Sequence, residues 1–321
     1  MSFRDILGQD NAVSFLARLA SGDRLAHAYI FVGPSGVGKR TAALNFAKAI
    51  NCAGTPDERP CDACVSCKKI DSGNHPDVFI LKPDKADAPI KIDSIRSLTR
   101  SAYLKAYEAR RKVFIIDNAS SMTDEAQNAL LKTLEEPPPD CTIILISESM
   151  NGLLTTIQSR AQPVRFFSLS VEAAKEILTR YHDVGEIEAG ILSSITGGSV
   201  GRSLELLKGD FFDKRSKALN AISDGTFFDA DFDRASKADI RLYLDIMLTY
   251  YRDMMVAKSV KNNAAFINID KSQAIISSSK RMKAEDIDDI IKQIILTNSY
   301  LDSNANTKLA VAALGLNLTA R

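Results

Sequence analysis

Short runs of apolar residues alternate with helical patterns over the first half of the chain. Five runs have the length of a strand, at residues 28–33, 77–81, 112–117, 141–147 and 163–167. Helical spacing of apolar residues separates most of them. Strands that are apolar along their whole length are typical of a parallel sheet with helices on both faces. The pattern therefore predicts an α/β domain of the nucleotide-binding type.

The pattern is purely helical beyond this region. Stretches such as VEAAKEILTRY, IEAGILSSI and GRSLELLKG carry apolar residues at helical spacing, and the later segments have broad apolar faces. We expect three domains, which are the α/β domain at 1–167, a small helical lid domain at 168–208 and an all-helical domain at 209–321. No internal repeat interrupts this division.

The composition is that of a soluble globular protein. The chain has 321 residues, of which 45% are hydrophobic and 25% charged, and this excludes disordered and collagen-like classes. Forty-one basic residues against 40 acidic ones leave a net charge of +1, so charge alone predicts no nucleic-acid partner. The N-terminus lacks a cleavable signal, and no stretch reaches the roughly 18 apolar residues of a membrane helix. We expect a cytoplasmic protein with no membrane contact.

Four of the five cysteines form a compact motif. Cys52, Cys61, Cys64 and Cys67 follow the spacing C-x₈-C-x₂-C-x₂-C. In a reducing compartment such a cluster favours a metal over disulfides, and four thiolates complete a tetrahedral, structural Zn²⁺ site. An iron–sulfur cluster is the alternative. Cys141 lies in an apolar run and is expected in the core.

The segment FVGPSGVGKRT resembles a phosphate-binding loop. Gly33, Gly38 and Lys39 fit the pattern G-x-x-x-x-G-K-[ST], and Gly36 adds a third glycine. Such a loop follows a strand, begins a helix and wraps phosphate oxygens with backbone N–H groups. Arg40 stands where a Ser or Thr hydroxyl should hold magnesium, so metal binding is expected to be weak.

A second element of such sites is a strand that ends in an acidic residue. VFIID ends in Asp117, whose carboxylate would hold Mg²⁺ through water. Many ATPases of this kind have Glu at the next position to activate the attacking water, but here Asn118 follows, and an amide is not a base. Two separate losses predict a site that binds ATP, if at all, without hydrolysing it.

Several motifs together resemble the clamp-loader branch of the AAA+ ATPases. They are FRDILGQDNAVSFL, RLAHAYIFVGPSGVGK, the cysteine motif after the phosphate-loop helix, MTDEAQNALLKTLEEPP and TTIQSRAQPVRF. The resemblance is greatest to the delta-prime family of bacterial DNA polymerase III. The gamma/tau subunit, an active ATPase with the same cysteine motif and LLKTLEEPP helix, is the alternative. Arg40 and Asn118 favour the delta-prime reading.

The resemblance implies a pentameric machine that uses ATP to place a sliding clamp on primed DNA during replication. This chain would assemble with gamma/tau and delta subunits through a C-terminal collar domain, as a noncatalytic part of a polymerase holoenzyme. Arg160 in QSRA matches the arginine that such a subunit lends to its neighbour's ATP, although Ala161 replaces the usual Cys. Arg202 matches an arginine that senses nucleotide in cis, and an ordinary solvated charge is the alternative.

A nucleic-acid-binding zinc module unrelated to clamps is a third functional class. The closed four-cysteine pattern would allow it. However, CDACVSCKKI lacks the interleaved aromatic and basic residues that stack on bases. The sequence therefore favours a structural role for the motif.

Overall fold

The computed structural model describes residues 2–22, 25–85, 88–224, 236–259, 266–303 and 307–319. The chain divides into two compact units. One consists of Met1–Ala173 with Ser199–Gly201, and the other of Ala174–Gly198 with Arg202–Arg321. None of the helices described is both long enough and apolar enough to cross a membrane.

The first unit contains a parallel sheet. Its strands are β1 (Ala28–Val32), β2 (Val78–Leu81), β3 (Lys112–Ile116), β4 (Cys141–Ser147) and β5 (Gln162–Arg165). They lie in the order β2-β3-β4-β1-β5, and all pairs are parallel. Every residue of β3 and β4 is buried, as expected for inner strands with helices on both faces. The predicted α/β fold class is confirmed.

Helices cover both faces of this sheet. They are α1 (Asp10–Ser21), α2 (Lys39–Asn51), α3 (Val65–Asp71), α4 (Ile92–Ala102), α5 (Asp124–Glu135) and α6 (Thr155–Gln158). On β1 the side chains alternate between the two faces. Tyr29 packs edge-on against Phe46 of α2, with ring centroids 5.2 Å apart. Ile30 instead joins a buried cluster with Ile95 of α4 and Leu130 of α5.

Nearby residues determine where α5 begins and where it ends. The Thr123 hydroxyl accepts a hydrogen bond from the Ala126 N–H at 3.3 Å, which caps the first turn. Asp124 and Glu125 add favourable negative charge there. The helix ends at Glu135, two residues before Pro137, and a residue that precedes proline disfavours helical dihedrals. The carboxylate of Glu135 therefore projects from a fixed helix end.

The second unit is helical and confirms the predicted helical C-terminal region. Its helices are most of α7 (Val171–His182), α8 (Glu186–Ile195), most of α9 (Val200–Lys208), α10 (Phe211–Asp224), α11 (Lys237–Ser259), α12 (Ser272–Arg281), α13 (Ala284–Asp302) and α14 (Thr307–Thr319). Helix α11 packs against α10, α12 and α13, and α14 packs against α13. The predicted boundary near residue 208 stays a prediction.

A buried polar network fixes the chain before α12. Asp253 of α11 has no exposed surface, and its carboxylate accepts the backbone N–H groups of Ile267 at 3.0 Å and Asn268 at 2.7 Å. The buried guanidinium of Arg215 donates to the side-chain oxygens of Asn268 and Asp270. These charges are buried with their hydrogen-bonding partners, as buried charges must be.

Candidate functional site

The phosphate loop connects β1 to α2 and takes the conformation that its glycines allow. Gly36 and Gly38 have φ values of +72° and +96°, which residues other than glycine rarely adopt. A Cβ at Gly36 would also contact Ser199 Oγ and lie 2.8 Å from the backbone nitrogen of Gly201. The Gly201 N–H donates to the Gly36 carbonyl at 3.2 Å. Residues 199–201 therefore lie directly against the loop, which the sequence did not reveal.

Lys39 is turned toward the loop itself. Its side chain is 7% exposed, and its Nζ donates to the carbonyls of Gly33 and Pro34 at 2.5 Å each. Burial lowers the pKa of Lys39, while the negative charges of Glu148 and Asp117 oppose that change. Glu148 follows the end of β4 and was missed from the sequence. Its place after β4 is the signal that could have revealed it, because parallel strands end at one edge of the sheet and bring the residues that follow them together.

Arg40 pairs with the acidic residue that should bind the metal. Its NH1 lies 3.5 Å from Oδ2 of Asp117, and the two side chains are 48% and 25% exposed. The guanidinium thus places a positive charge beside the carboxylate that would hold Mg²⁺. A positive group there repels a cation and competes for its ligand. This contact adds a physical reason, beyond the missing hydroxyl, to expect weak metal binding.

Asn118 stabilises a turn that follows β3. Its backbone is left-handed, with φ of +56°. Its side-chain oxygen accepts the Ser120 hydroxyl at 3.0 Å, and its carbonyl accepts the Ser121 hydroxyl at 2.8 Å. Asparagine tolerates this conformation well, and its amide supplies no proton acceptor strong enough to activate water.

The four clustered cysteines meet around one point. The sulfur atoms of Cys52, Cys61, Cys64 and Cys67 all lie within 4.8 Å of one another. Cys52 follows the last residue of α2, and Cys64 precedes the first residue of α3. Backbone N–H groups point at the sulfurs, including Cys61 N to Cys52 Sγ at 3.4 Å and Cys64 N to Cys61 Sγ at 3.4 Å. These four sulfurs form a donor set that could hold a metal ion.

The environments of the thiols explain why a cation would suit them. Burial raises the pKa values of Cys52 and Cys67. Burial also acts to raise the pKa of Cys64, but N–H donation from Ala53 and Cys67, together with hydrogen bonds from the side chains of Cys67 and Cys61, lowers it to about 6. Without a cation, burial favours the neutral form of two of these thiols. A bound ion would stabilise all four thiolates.

Lys48 joins the cysteine loop to the phosphate-loop helix. Its side chain is buried on α2, and its Nζ lies 2.6 Å from Asp62 Oδ1 and 2.9 Å from Asp71 Oδ1. Asp62 lies between two of the cysteines, and Asp71 is the last residue of α3. Burial alone would lower the pKa of Lys48, but the two carboxylates raise it. Sequence reasoning missed this lysine because its partners lie 14 and 23 residues away.

Arg160 follows α6 and lies at the surface of the first unit. Its side chain is 35% exposed, and NH2 lies 2.8 Å from Oε1 of Glu135. NH1 donates to the Thr156 carbonyl at 3.0 Å and to the Ser159 hydroxyl at 3.3 Å. The sequence patterns identified Arg160 as a candidate site residue, whereas Glu135 was noted only as part of the motif MTDEAQNALLKTLEEPP.

Arg202 belongs to the second unit. Its NH2 lies 3.3 Å from Oδ2 of Asp245 on α11, with the two side chains 47% and 23% exposed. Burial raises the pKa of Asp245, and the positive charges of Arg202 and Arg241 counteract that rise. No sequence pattern indicates this partner, which lies 43 residues away.

Known proteins were compared with the chain as a whole. A family model described as "DNA polymerase III, delta subunit" matches residues 8–170. A Bacillus subtilis (strain 168) protein named DNA polymerase III subunit delta' is 33% identical over 312 residues, covering 94% of this chain and 93% of the relative. A Pseudomonas aeruginosa subunit delta' is 41% identical over 135 residues, covering 42% of this chain and 41% of the relative.

A tau subunit is also similar, over a shorter region. The B. subtilis DNA polymerase III subunit tau is 34% identical over 210 residues, covering 64% of this chain and 37% of that protein. Among solved structures, a gamma subunit-related protein of Thermotoga maritima has a TM-score of 0.47 and 19% identity, covering 94% of this chain and 97% of that one.

Proposed function

The chain belongs to the family of DNA polymerase III delta-prime subunits, and on that premise we propose that it is a noncatalytic subunit of a clamp loader. In this role it assembles with gamma/tau and delta subunits, and the complex places a sliding clamp on primed DNA during replication. The observation that carries the proposal is the B. subtilis relative, whose similarity extends over 94% of the chain and thus over both units. The helical C-terminal region is proposed to divide into a lid at 168–208 and an assembly domain at 209–321.

Assembly tests this function directly. We expect the purified chain, mixed with gamma/tau and delta subunits, to form one complex that contains all three, as measured by native mass spectrometry. A variant that ends after residue 208 serves as the comparison and is expected to stay out of the complex. A full-length, folded chain that fails to enter the complex would contradict the proposed function.

The noncatalytic character rests on two separate features. Arg40 removes the metal-binding hydroxyl and puts its guanidinium 3.5 Å from Asp117, and Asn118 replaces the expected base. Phosphoryl transfer from ATP depends on a metal ion and an oriented water. We propose that Gly33, Gly36, Gly38 and Lys39 keep the shape of a phosphate site beside Asp117 without turning ATP over. The role of Arg202 as a nucleotide sensor stays a prediction.

The isolated chain is therefore expected to show negligible ATPase activity. Steady-state phosphate release should match that of the Lys39→Ala variant, because the lysine of a working phosphate loop contacts the transferred phosphate and is indispensable. This control separates the chain's own activity from that of a contaminating ATPase. ATPase activity comparable to that of an active gamma/tau subunit, if it were lost in the Lys39→Ala variant, would favour the gamma/tau alternative. The similarity to tau is the observation behind that alternative.

We further propose that Cys52, Cys61, Cys64 and Cys67 hold a structural Zn²⁺. Four thiolates complete the tetrahedral coordination of zinc and leave no position for a reactive water. The N–H groups that point at the sulfurs support the thiolate form. The role of the ion is to fix the loop between α2 and α3.

Arg160 is proposed as an arginine finger that acts on the nucleotide of a neighbouring subunit. Its side chain is 35% exposed, and its guanidinium contacts Glu135 at the end of α5 and Thr156 of α6. Arginine binds phosphate oxygens through paired N–H donors, and such a finger neutralises charge that develops during phosphoryl transfer. The partly exposed position supports a role toward a partner.

A further inference from the structure

The geometry around Arg160 points to Glu135 as a positioning residue. We propose that its carboxylate holds the Arg160 guanidinium in the orientation in which it meets the phosphate oxygens of a neighbouring subunit's nucleotide. This inference rests on the proposed function, since it requires Arg160 to act on a partner. It concerns a residue that neither the sequence motifs nor the fold alone assign to the reaction.

Two helix ends supply the acceptors for the guanidinium. At the end of α5, Glu135 Oε1 forms an ion pair with NH2 at 2.8 Å. At the end of α6, the Thr156 carbonyl and the Ser159 hydroxyl accept from NH1 at 3.0 Å and 3.3 Å. Acceptors on two sides fix both the position and the plane of the group. Glu135 is the part of this arrangement that does not belong to the arginine's own turn.

A buried glutamine near the beginning of α5 ties this helix to the segment that leads into α6. Gln127 of α5 is 4% exposed, and its side-chain oxygen accepts the Leu154 N–H at 2.8 Å just before α6. Gln158 donates to the carbonyls of Met150 and Leu153 at 2.9 Å and 2.8 Å. The carboxylate and the arginine are thus carried by one packed framework, which preserves the distance between them.

The contacts leave donors available for phosphate. A guanidinium has five N–H donors. The three contacts described here use at most three of them, so at least two remain. Two donors suffice for the paired hydrogen bonds that arginine makes with phosphate oxygens. Glu135 can therefore stay bound while the arginine works.

The Glu135–Arg160 ion pair orients the guanidinium and adds little to the stability of the fold. Glu135 and Arg160 are 49% and 35% exposed, and ion pairs this exposed add little to folding. An unrestrained arginine, however, must be immobilised each time it meets a phosphate. Immobilising one such side chain slows a step by about threefold to tenfold, which is the effect expected when Glu135 is truncated.

The experiment measures single-turnover ATP hydrolysis by the complex reconstituted with gamma/tau, delta, clamp and primed DNA. Glu135→Ala is expected to slow the partner's hydrolysis about threefold to tenfold, with ATP affinity unchanged. Glu135→Gln keeps an acceptor oxygen and should recover most of the rate. Glu136→Ala is the matched control, because it removes a neighbouring carboxylate that forms no ion pair within the described part of the chain. Its rate should equal that of the unmodified complex.

A double variant separates positioning from other effects. Glu135→Ala should have no effect in an Arg160→Ala background, because no finger remains to be oriented. A further loss in that background, or a Glu135→Ala rate equal to or above the unmodified rate, would overturn the positioning role. If Arg160→Ala itself left hydrolysis unchanged, the proposed arginine finger would be wrong instead, so the two failures are distinguishable.

Discussion

Replacing Arg160 with alanine is expected to slow ATP hydrolysis at one neighbouring gamma/tau site by roughly 10³-fold or more. The guanidinium stabilises charge on the phosphate oxygens only during transfer, so binding of ATP by the partner should persist. Arg160 is 35% exposed and contacts Glu135 and the turn of α6, so its truncation removes no core packing. The chain should fold and assemble normally.

The measurement must isolate the affected site. In the proposed complex Arg160 serves a single ATP site, so a steady-state rate that sums over all sites would report only part of the loss. A single-turnover experiment should instead show that one fraction of the bound ATP becomes very slow, together with impaired clamp loading. Unchanged kinetics in a fully assembled complex would reduce Arg160 to a surface charge.

Two variants sharpen the interpretation of this result. Arg160→Lys should restore only part of the rate, because a compact ammonium lacks the planar pair of donors. Arg180→Ala is a suitable control, since Arg180 also forms a surface ion pair, with Glu176 at 3.7 Å, but within a single helix. Its removal should leave hydrolysis and loading unchanged.

The purified chain is expected to contain one zinc ion, and loss of a buried ligand should abolish tight binding. Cys67→Ala leaves three ligands and exposes the ion to water, so elemental analysis should find zinc well below one per chain. Structural zinc sites in small domains contribute about 10 kcal/mol or more of binding free energy to folding. The loop between α2 and α3 should therefore lose its order and become sensitive to protease.

The remaining cysteine provides the control for zinc binding. Cys141 is buried in β4, and burial raises its pKa to about 11, as expected for a core thiol. Cys141→Ala should keep one zinc. Zinc affinity should fall as the pH is lowered, because thiols with raised pKa values must release protons to bind metal. A brown chromophore with iron in the purified protein, or four freely titratable thiols, would contradict the zinc site.

The sheet was predictable because its strands are buried on both faces. A fully buried parallel strand is almost entirely apolar, and the runs VFII of β3 and IILI of β4 carry that signature. The cysteine cluster was predictable for a related reason, since its ligands lie close together in sequence. In both cases the determining pattern is local.

Partners that are distant in sequence were not predictable. The sequence indicated that Arg40 removes a metal ligand, but not that its guanidinium would lie beside Asp117. Glu135, 25 residues before Arg160, carried no sign of their ion pair. Such contacts depend on how strands and helices are arranged in space, and a single charged side chain on a helix surface has many possible partners.

The ion pairs of Lys48 have a consequence for the modularity of the protein. By sequence, the cysteine segment could be exchanged between related subunits as a cassette that begins at Cys52. Two of its carboxylates, Asp62 and Asp71, however form ion pairs with a lysine that lies on α2, outside that cassette. A transplant cut at the first cysteine would separate Asp62 and Asp71 from the buried lysine with which they form ion pairs. The natural unit of exchange therefore begins one helical turn earlier, at Lys48.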